Sequence, residues 1–488
     1  MSSVFANLEP QQVWKLFEDI CAIPHGSKNE AELRTYIEKV VKAHGCVVKK
    51  DAAGNLCISV SATPGCEHAP SVILQAHLDM VCEKNELTRH DFRRDGVRCI
   101  RDGDWIRADG TTLGADNGIG VAAAVALALS ENISHGPLEI LLTVDEETGL
   151  TGALHLSPDL ITGSMMINLD SENSHAVCIG CAGGGGVTSM YELELEAPKK
   201  NYLWRDLWLT GLQGGHSGMN IHENRANAVK LMARLLRTID SACAMRLADF
   251  QSGDKHNAIP REARACIGIP EGKINTMQSC LSDMFDRFKN EYPHEPLLEI
   301  TEQSVSLPAH CYTQETTRVL LNLLLAFPHG VLAMSRTMSG LVETSNNLSS
   351  VHLSGKSCTI HNTPRSSRPE RLAAVIEQIC AVTELAGGKT IQEPTYPGWE
   401  PNPDSELLRL YEQVYAEVFG HAPFREAVHA GLECGIIGQK KPDLDMIAIG
   451  PDIRNCHSPH EAVSITSVQK FWTVLVRLLE RIGKMKAA

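Results

Sequence analysis

His77 and Asp79 stand two residues apart at the end of an apolar run, Val72-Ile-Leu-Gln-Ala-His77-Leu-Asp79-Met80. A short β-rich run that delivers an imidazole and a carboxylate at its end is how an α/β enzyme presents a metal at the carboxyl edge of its sheet. Three further apolar runs end alike. Leu138-Glu-Ile-Leu-Leu-Thr-Val144 leads into Asp145-Glu146-Glu147, Met165-Met-Ile-Asn-Leu169 into Asp170, and Met446-Ile-Ala-Ile-Gly450, through a short loop, into His457. Another carboxylate, Asp116 in Gly114-Ala-Asp-Asn-Gly-Ile-Gly120, precedes an alanine-rich helical run. Two histidines and several carboxylates, with no cysteine at those strand ends, suit Zn²⁺, Mn²⁺ or Co²⁺ rather than an iron–sulfur cluster. The chemistry this set predicts is hydrolysis at a two-metal site.

Each residue also has a plainer reading. Asp116 before an apolar run fits a helix N-cap, and adjacent glutamates such as Glu146 and Glu147 are most often a solvated loop. Following an apolar strand they are less ordinary, and on an extended segment they point in different directions, which suits two different roles. The pair Cys178-Ile-Gly-Cys181 has no second CxxC to complete a zinc ribbon.

The elements that must carry these residues are readable from periodicity. Helices are predicted over 9–23 and 29–44, a β-hairpin over 47–60, and then the His77 strand. The charged stretch 83–110 reads as a surface excursion, after which a helix follows over 119–129. Strands alternating with helical or loop crossovers imply a mostly parallel sheet flanked by helices. From about residue 187 the grammar changes to runs of strands (187–195, 203–209, 297–305, 341–353, 357–361) and helices (224–240, 274–291, 316–326, 369–385). That pattern predicts an inserted α+β lid domain over 187–390, splitting a catalytic domain into 1–186 and 391–488. The second part is expected to hold a helix over 405–418, the His457 strand and a closing helix over 467–482. The glycine run 183–186 and the segment Glu393-Pro-Thr-Tyr-Pro-Gly398 read as the two hinges.

Size and charge bound the function. With 488 residues a large core is available, and 45 Lys+Arg against 59 Asp+Glu gives a net charge of −14 with no basic block, which argues against nucleic acid or an anionic membrane as partner. The N-terminal residues show neither the basic nor the apolar region of a secretory signal, so a cytoplasmic location is expected. The 16 cysteines are mostly scattered singly, as reduced thiols would be.

The motifs HLDM at 77–80, GADNGIG at 114–120, EE at 146–147, the Asp170 strand end, GGHSG at 214–218, NAIPRE at 257–262, HAGLECG at 429–435 and HSPHE at 457–461 resemble, in order and over the whole chain, the di-zinc aminoacylase/carboxypeptidase-like metallopeptidases. Within that family the likeness is to the dipeptidases that release C-terminal histidine. The resemblance implies two divalent ions per chain, Zn²⁺ first with Co²⁺ or Mn²⁺ as alternatives. It gives His77, Asp116 and Asp170 to one ion and His457, Asp116 and Glu147 to the other, with Asp116 bridging and its bond to Asn117 cis. Asp79 would fix the tautomer of His77, and Glu146 would act as general base on a bridging water. His216 would stabilise the oxyanion, while Asn257, Arg365 and Gly431 would bind substrate, Arg365 taking its carboxylate.

For Arg365 the plainer reading is a surface arginine in a Pro-rich loop, with Arg368 as rival. A carboxylate-binding arginine on a mobile domain would let the substrate itself draw the domains shut. The implied activity is hydrolysis of unblocked dipeptides, preferentially Xaa-His and including β-Ala-His, by a homodimer joined through the inserted domain. Competing readings are an N-acyl-amino-acid deacylase or carboxypeptidase of the same family and, more remotely, a non-catalytic metal-stabilised scaffold.

Overall fold

The four apolar runs that carry the candidate ligands lie side by side. In the computed structural model, which describes residues 3–486, strands Leu138–Thr143, Val72–His77, Met165–Asn168 and Asp445–Ala448 are consecutive neighbours and parallel. The first three are buried along their whole length. That is why they read as continuous apolar runs rather than alternating ones, as strands covered on both faces do. Parallel pairing brings their carboxyl ends to one edge.

The sheet has eight strands and is mixed. The hairpin Val47–Lys50/Leu56–Val60 joins Leu138–Thr143 antiparallel, and Ala176–Cys181 joins Asp445–Ala448 antiparallel. The parallel character expected of the sheet is therefore concentrated in the strands that present the site.

Helix Ala115–Ala128 owes its alanines to close packing. Nearly all its residues are buried, and a Cβ on Gly118 would come within 3.1 Å of the Phe17 ring on helix Gln11–Cys21. Phe17 and Trp14 are themselves buried, contributing roughly 1.5–3 kcal/mol per large side chain. Asp116 and Asn117 leave helical φ/ψ, and the bond between them is cis. Asp116 makes no capping bond; Gly114 holds the N-cap position.

Two compact units result: the chain up to Gly180 with Trp399–Ala427 and the residues from Leu432 onward, and Cys181–Gly398 with Val428–Gly431. The division falls at Cys181 and Gly398 rather than at 187 and 390. Gly183–Gly184 pairs with Arg365–Ser366, Lys389–Gln392 pairs with Val187–Glu192, and Gly184 exchanges backbone hydrogen bonds with Tyr396 at 3.1 and 3.0 Å. The two segments expected as separate hinges thus run side by side within the second unit.

That unit is a ten-stranded sheet with helices Ala228–Cys243, Ile274–Glu291, Gln314–Ala326 and Pro369–Leu385. Its core gathers Leu235, Ile239, Phe250, Phe288 and Leu324. Strands Arg246–Ser252 and Ala263–Pro270, unassigned from sequence, lie inside this sheet.

Two expectations for the first unit are corrected. The stretch 83–110 is not all surface excursion, because it ends in a hairpin, Cys99–Asp102/Trp105–Ala108, which pairs with Ala462–Ser464 and through it with Ile453–Arg454. His457 is not on a strand but in the turn between Ile453–Arg454 and Ala462–Ser464, with φ of 60°. A left-handed conformation is uncommon for residues other than glycine, and residues held in it cluster at functional sites. Among the described residues no helix is long and apolar enough to cross a membrane.

Candidate active site

At the carboxyl edge of the parallel strands, Asp116 stands between the two imidazoles. Its Oδ1 lies 3.1 Å from His77 Nε2 and its Oδ2 3.2 Å from His457 Nε2. Asp170 Oδ1 is 3.4 Å from the same nitrogen of His77, and Glu147 Oε2 is 3.0 Å from that of His457. Two ligand groups follow, His77/Asp116/Asp170 and Asp116/Glu147/His457, each with its donor atoms within 4.8 Å of one another. They share one carboxylate and use a different oxygen of it.

Charge in this cluster is strongly one-sided. Burial pushes Asp170 up to about 8, with the charge of Asp116 adding to it. Burial also raises Glu146 well above the usual carboxylate range. Hydrogen bonds to Asp116 and Glu147 push His457 up to about 11. For His77 burial works the other way, yet Asp170 and the bonds to Asp116, Asp170 and Asp79 raise it well above its ordinary value. Asp116, though buried, is held well below its ordinary value by its bonds to His457 and His77. Carboxylates that draw protons onto imidazoles would draw divalent cations instead, and a bound cation reverses this pKa pattern. Glu147 Oε1 is buried with no hydrogen-bond partner. The donor set, two imidazoles and oxygen ligands, and that unspent oxygen fit metal ions of the zinc, cobalt or manganese kind.

Buried acceptors hold His77, Asp116, Asp170 and the backbone of Glu147 from behind. Asp79 is 1% exposed and its carboxylate accepts the N–H groups of Glu146 at 2.9 Å and Glu147 at 3.2 Å and the hydroxyl of Ser27 at 2.7 Å. His77 Nδ1 lies 3.0 Å from the backbone carbonyl of Asp79 but 3.5 Å from its carboxylate. The imidazole thus faces both the carbonyl and, at the longer distance, the carboxylate of Asp79, and the carboxylate also holds the 146–147 backbone. Asp145 shapes the same turn, with φ of 52° and hydroxyl bonds from Thr148 and Thr151.

Sequence reasoning did not find two further anchors. Glu461, 2% exposed, accepts four consecutive N–H groups, from Leu113 (2.7 Å), Gly114 (3.0 Å), Ala115 (2.8 Å) and Asp116 (3.2 Å), and so fixes the loop that aims Asp116. Glu433 accepts from Gln75 and Thr143, both at 2.6 Å, Gln75 accepts from Asn168 at 2.5 Å, and Asn168 accepts the N–H of Asp170 at 3.1 Å. That chain ties the strands of His77, Glu147 and Asp170 together beneath their ends. Glu172 and Cys456 also come within 4.8 Å of an Asp116 oxygen, a proximity the sequence pattern did not suggest.

The model of peptidase family M20/M25/M40 matches residues 73–481. The chain belongs to this family. It is 40% identical over 481 residues to the cytosol non-specific dipeptidase of Escherichia coli (strain K12), covering 98% of this chain and 99% of that one. It is similar to the aminoacylhistidine dipeptidase structure from Vibrio alginolyticus, with 38% identity, a TM-score of 0.92 and coverage of 100% and 99%. Human carnosine dipeptidase 1 shares the fold, with 13% identity, a TM-score of 0.53 and coverage of 99% and 98%. This M20 chain is a metallopeptidase, and the expected α/β fold class is that of its family.

The other predicted site residues of this M20 peptidase lie in the second unit. His216 and Ala258 face each other in a two-stranded pairing, and the carbonyl of Asn257 accepts the N–H of Ser217 at 2.8 Å, so GGHSG and NAIPRE form one structure. The Nδ1 of His216 accepts the N–H groups of Gly218 and Met219, which leaves the ring proton on Nε2 as a donor. Arg365 is not a surface residue; it is 6% exposed on strand Ser357–Ser366. Gly431 and Arg365 meet across Tyr396.

Proposed function

We propose that this M20 peptidase is a dipeptidase acting on unblocked dipeptides through two divalent ions, Zn²⁺ first, with a preference for C-terminal histidine. The observation that carries this reading is the division of the Asp116 carboxylate between two imidazoles, each already faced by a second carboxylate. His77, Asp116 and Asp170 would hold one ion and His457, Asp116 and Glu147 the other. Ions so held would acidify the attacking water and polarise the scissile carbonyl.

The chain's own residues supply the rest. Glu146 takes the proton of the attacking water and returns it to the leaving amine, the ordinary work of a general base. Asp79 fixes the backbone of Glu146 and Glu147, while its carbonyl keeps the Nδ1 proton on His77 and leaves Nε2 to the ligand site. His216 offers Nε2–H to the developing oxyanion. Asn257, the Gly431 backbone and Arg365 bind substrate, Arg365 as the donor to the terminal carboxylate.

The two similar dipeptidases differ in what their names say they release, one non-specific and one aminoacylhistidine, so the leaving residue is the point that needs measurement. A cytoplasmic location accords with the name of the Escherichia coli relative. The reading includes a homodimer joined through the second unit, carried from the sequence resemblance, and the net charge of −14 supports neither nucleic acid nor anionic membrane as partner.

Elemental analysis beside hydrolysis of Gly-His, β-Ala-His and N-acetyl-His tests it. About two ions per chain are expected, as a two-metal site requires, with chelator-sensitive cleavage of the two free dipeptides and little of the acylated one. Cleavage of N-acetyl-His alone would make the protein a deacylase. Failure to bind Zn²⁺, Co²⁺ or Mn²⁺ would overturn the site.

A further inference from the structure

The guanidinium of Arg365 is buried without a counter-charge. Its Nη1 donates to Tyr396 Oη at 2.9 Å, its Nε is buried with no partner, and among the described residues no carboxylate pairs with it. Burying such a group unpaired is costly, and five N–H donors in a planar fork call for a carboxylate. Its charge is held in readiness for an anionic ligand.

Tyr396 is fitted to this guanidinium by two glycines. A Cβ on Gly184 would stand 2.5 Å from the phenol oxygen, and one on Gly431 would stand 2.8 Å from ring atom Cε2. Any side chain at either position would push the ring from its seat. Backbone hydrogen bonds between Gly184 and Tyr396 in both directions fix the segment. The phenol oxygen accepts from Arg365, yet among the described residues no acceptor takes its own proton. One O–H donor is therefore unspent beside the unspent guanidinium donors.

His429, also 6% exposed, shares a hydrogen bond of 2.7 Å with Ser345 and has a buried Nδ1 without partner. Burial, together with the charge of Arg365, lowers it to about 3, so it stays neutral. Arg365 thus brings its positive charge, and Tyr396 and His429 neutral hydrogen-bonding groups, to one buried cluster, a combination that suits a carboxylate.

We propose that Tyr396 is a specificity-determining residue that donates its O–H to the substrate's terminal carboxylate beside Arg365, with Gly184 and Gly431 kept small to seat its ring. This rests on the reading of Arg365 as the carboxylate-binding residue.

The test compares Tyr396→Phe and Arg365→Lys with the parent enzyme, measuring KM and kcat for Gly-His and inhibition by histidine and by histidinamide. Losing a hydrogen bond to a charged group predicts about a tenfold rise in KM and in the inhibition constant of histidine for Tyr396→Phe. Histidinamide should bind the variant and the parent alike, and kcat and metal content should be retained. Gly184→Ala should shift histidine binding in the same direction, a check that does not remove the phenol. If Arg365→Lys discriminates histidine from histidinamide but Tyr396→Phe does not, the role of Tyr396 falls and that of Arg365 stands. If neither variant discriminates, the carboxylate reading of Arg365 itself is overturned.

Discussion

Replacing Glu146 by glutamine is expected to lower kcat for Gly-His by about 10²–10⁴-fold, the range over which a positioned general base contributes. KM and metal content should stay near those of the parent. The substitution keeps the shape and leaves the backbone N–H of residue 146 on Asp79, so the turn that carries Glu147 is undisturbed. Glu147 is the member of the pair that faces His457, at 3.0 Å. Glu146 lies with His77 and Glu147 in a group of donors within 4.8 Å of one another, close enough to serve a water held there but not needed to complete either Asp116-sharing ligand group. Glutamine cannot take up a proton, so the loss should fall on kcat. A variant that instead loses bound metal would make Glu146 a ligand, and one that keeps full kcat would remove it from the mechanism.

What the sequence made legible was the set of residues with a chemical signature at a strand end. Strands Val72–His77, Leu138–Thr143 and Met165–Asn168 are buried on both faces, so they announce themselves as apolar runs, and the residue that breaks each run is the one at the sheet edge. Arg365 was legible as a residue type but not as a buried one, because its Pro-rich surroundings look like a loop while the chain there is the end of a strand paired with Gly183–Gly184. Strand Trp105–Ala108 was missed because its partner, Ala462–Ser464, is distant in sequence and only one pairing edge is local.

The anchors were missed for a different reason. Glu461, Glu433, Gln75 and Asn168 act by accepting from or donating to backbone and amide groups, and nothing in residue type or spacing marks such a role. Tyr396 was hidden in a segment whose prolines and glycine suggested only a hinge. Its meaning depends on Gly184 and Gly431, which come next to it only in the folded chain. The ligands of this site can therefore be proposed from one dimension, while the parts that aim them require three.

Glu461→Ala should be among the most damaging single changes in the first unit, although Glu461 belongs to neither ligand group. Its two oxygens take four consecutive backbone N–H groups, from Leu113 to Asp116, and the residue is 2% exposed, so little water can replace it. Leaving buried donors unsatisfied costs about 1–3 kcal/mol each; even with partial relaxation of the loop, a loss on the order of 3 kcal/mol is expected. The function should suffer further, because Asp116 must hold one oxygen toward His77 and the other toward His457, and a carboxylate shared in this way tolerates little rotation. Weakening of metal affinity by about 10–100-fold is the usual result of removing such an outer support. Thermal unfolding and metal titration of the variant would measure the two effects separately, and Glu461→Gln, which keeps the volume but turns an N–H₂ toward backbone donors, should reproduce the metal defect with less loss of packing. Unchanged metal affinity in a folded Glu461→Gln variant would show that the loop holds Asp116 without its carboxylate anchor.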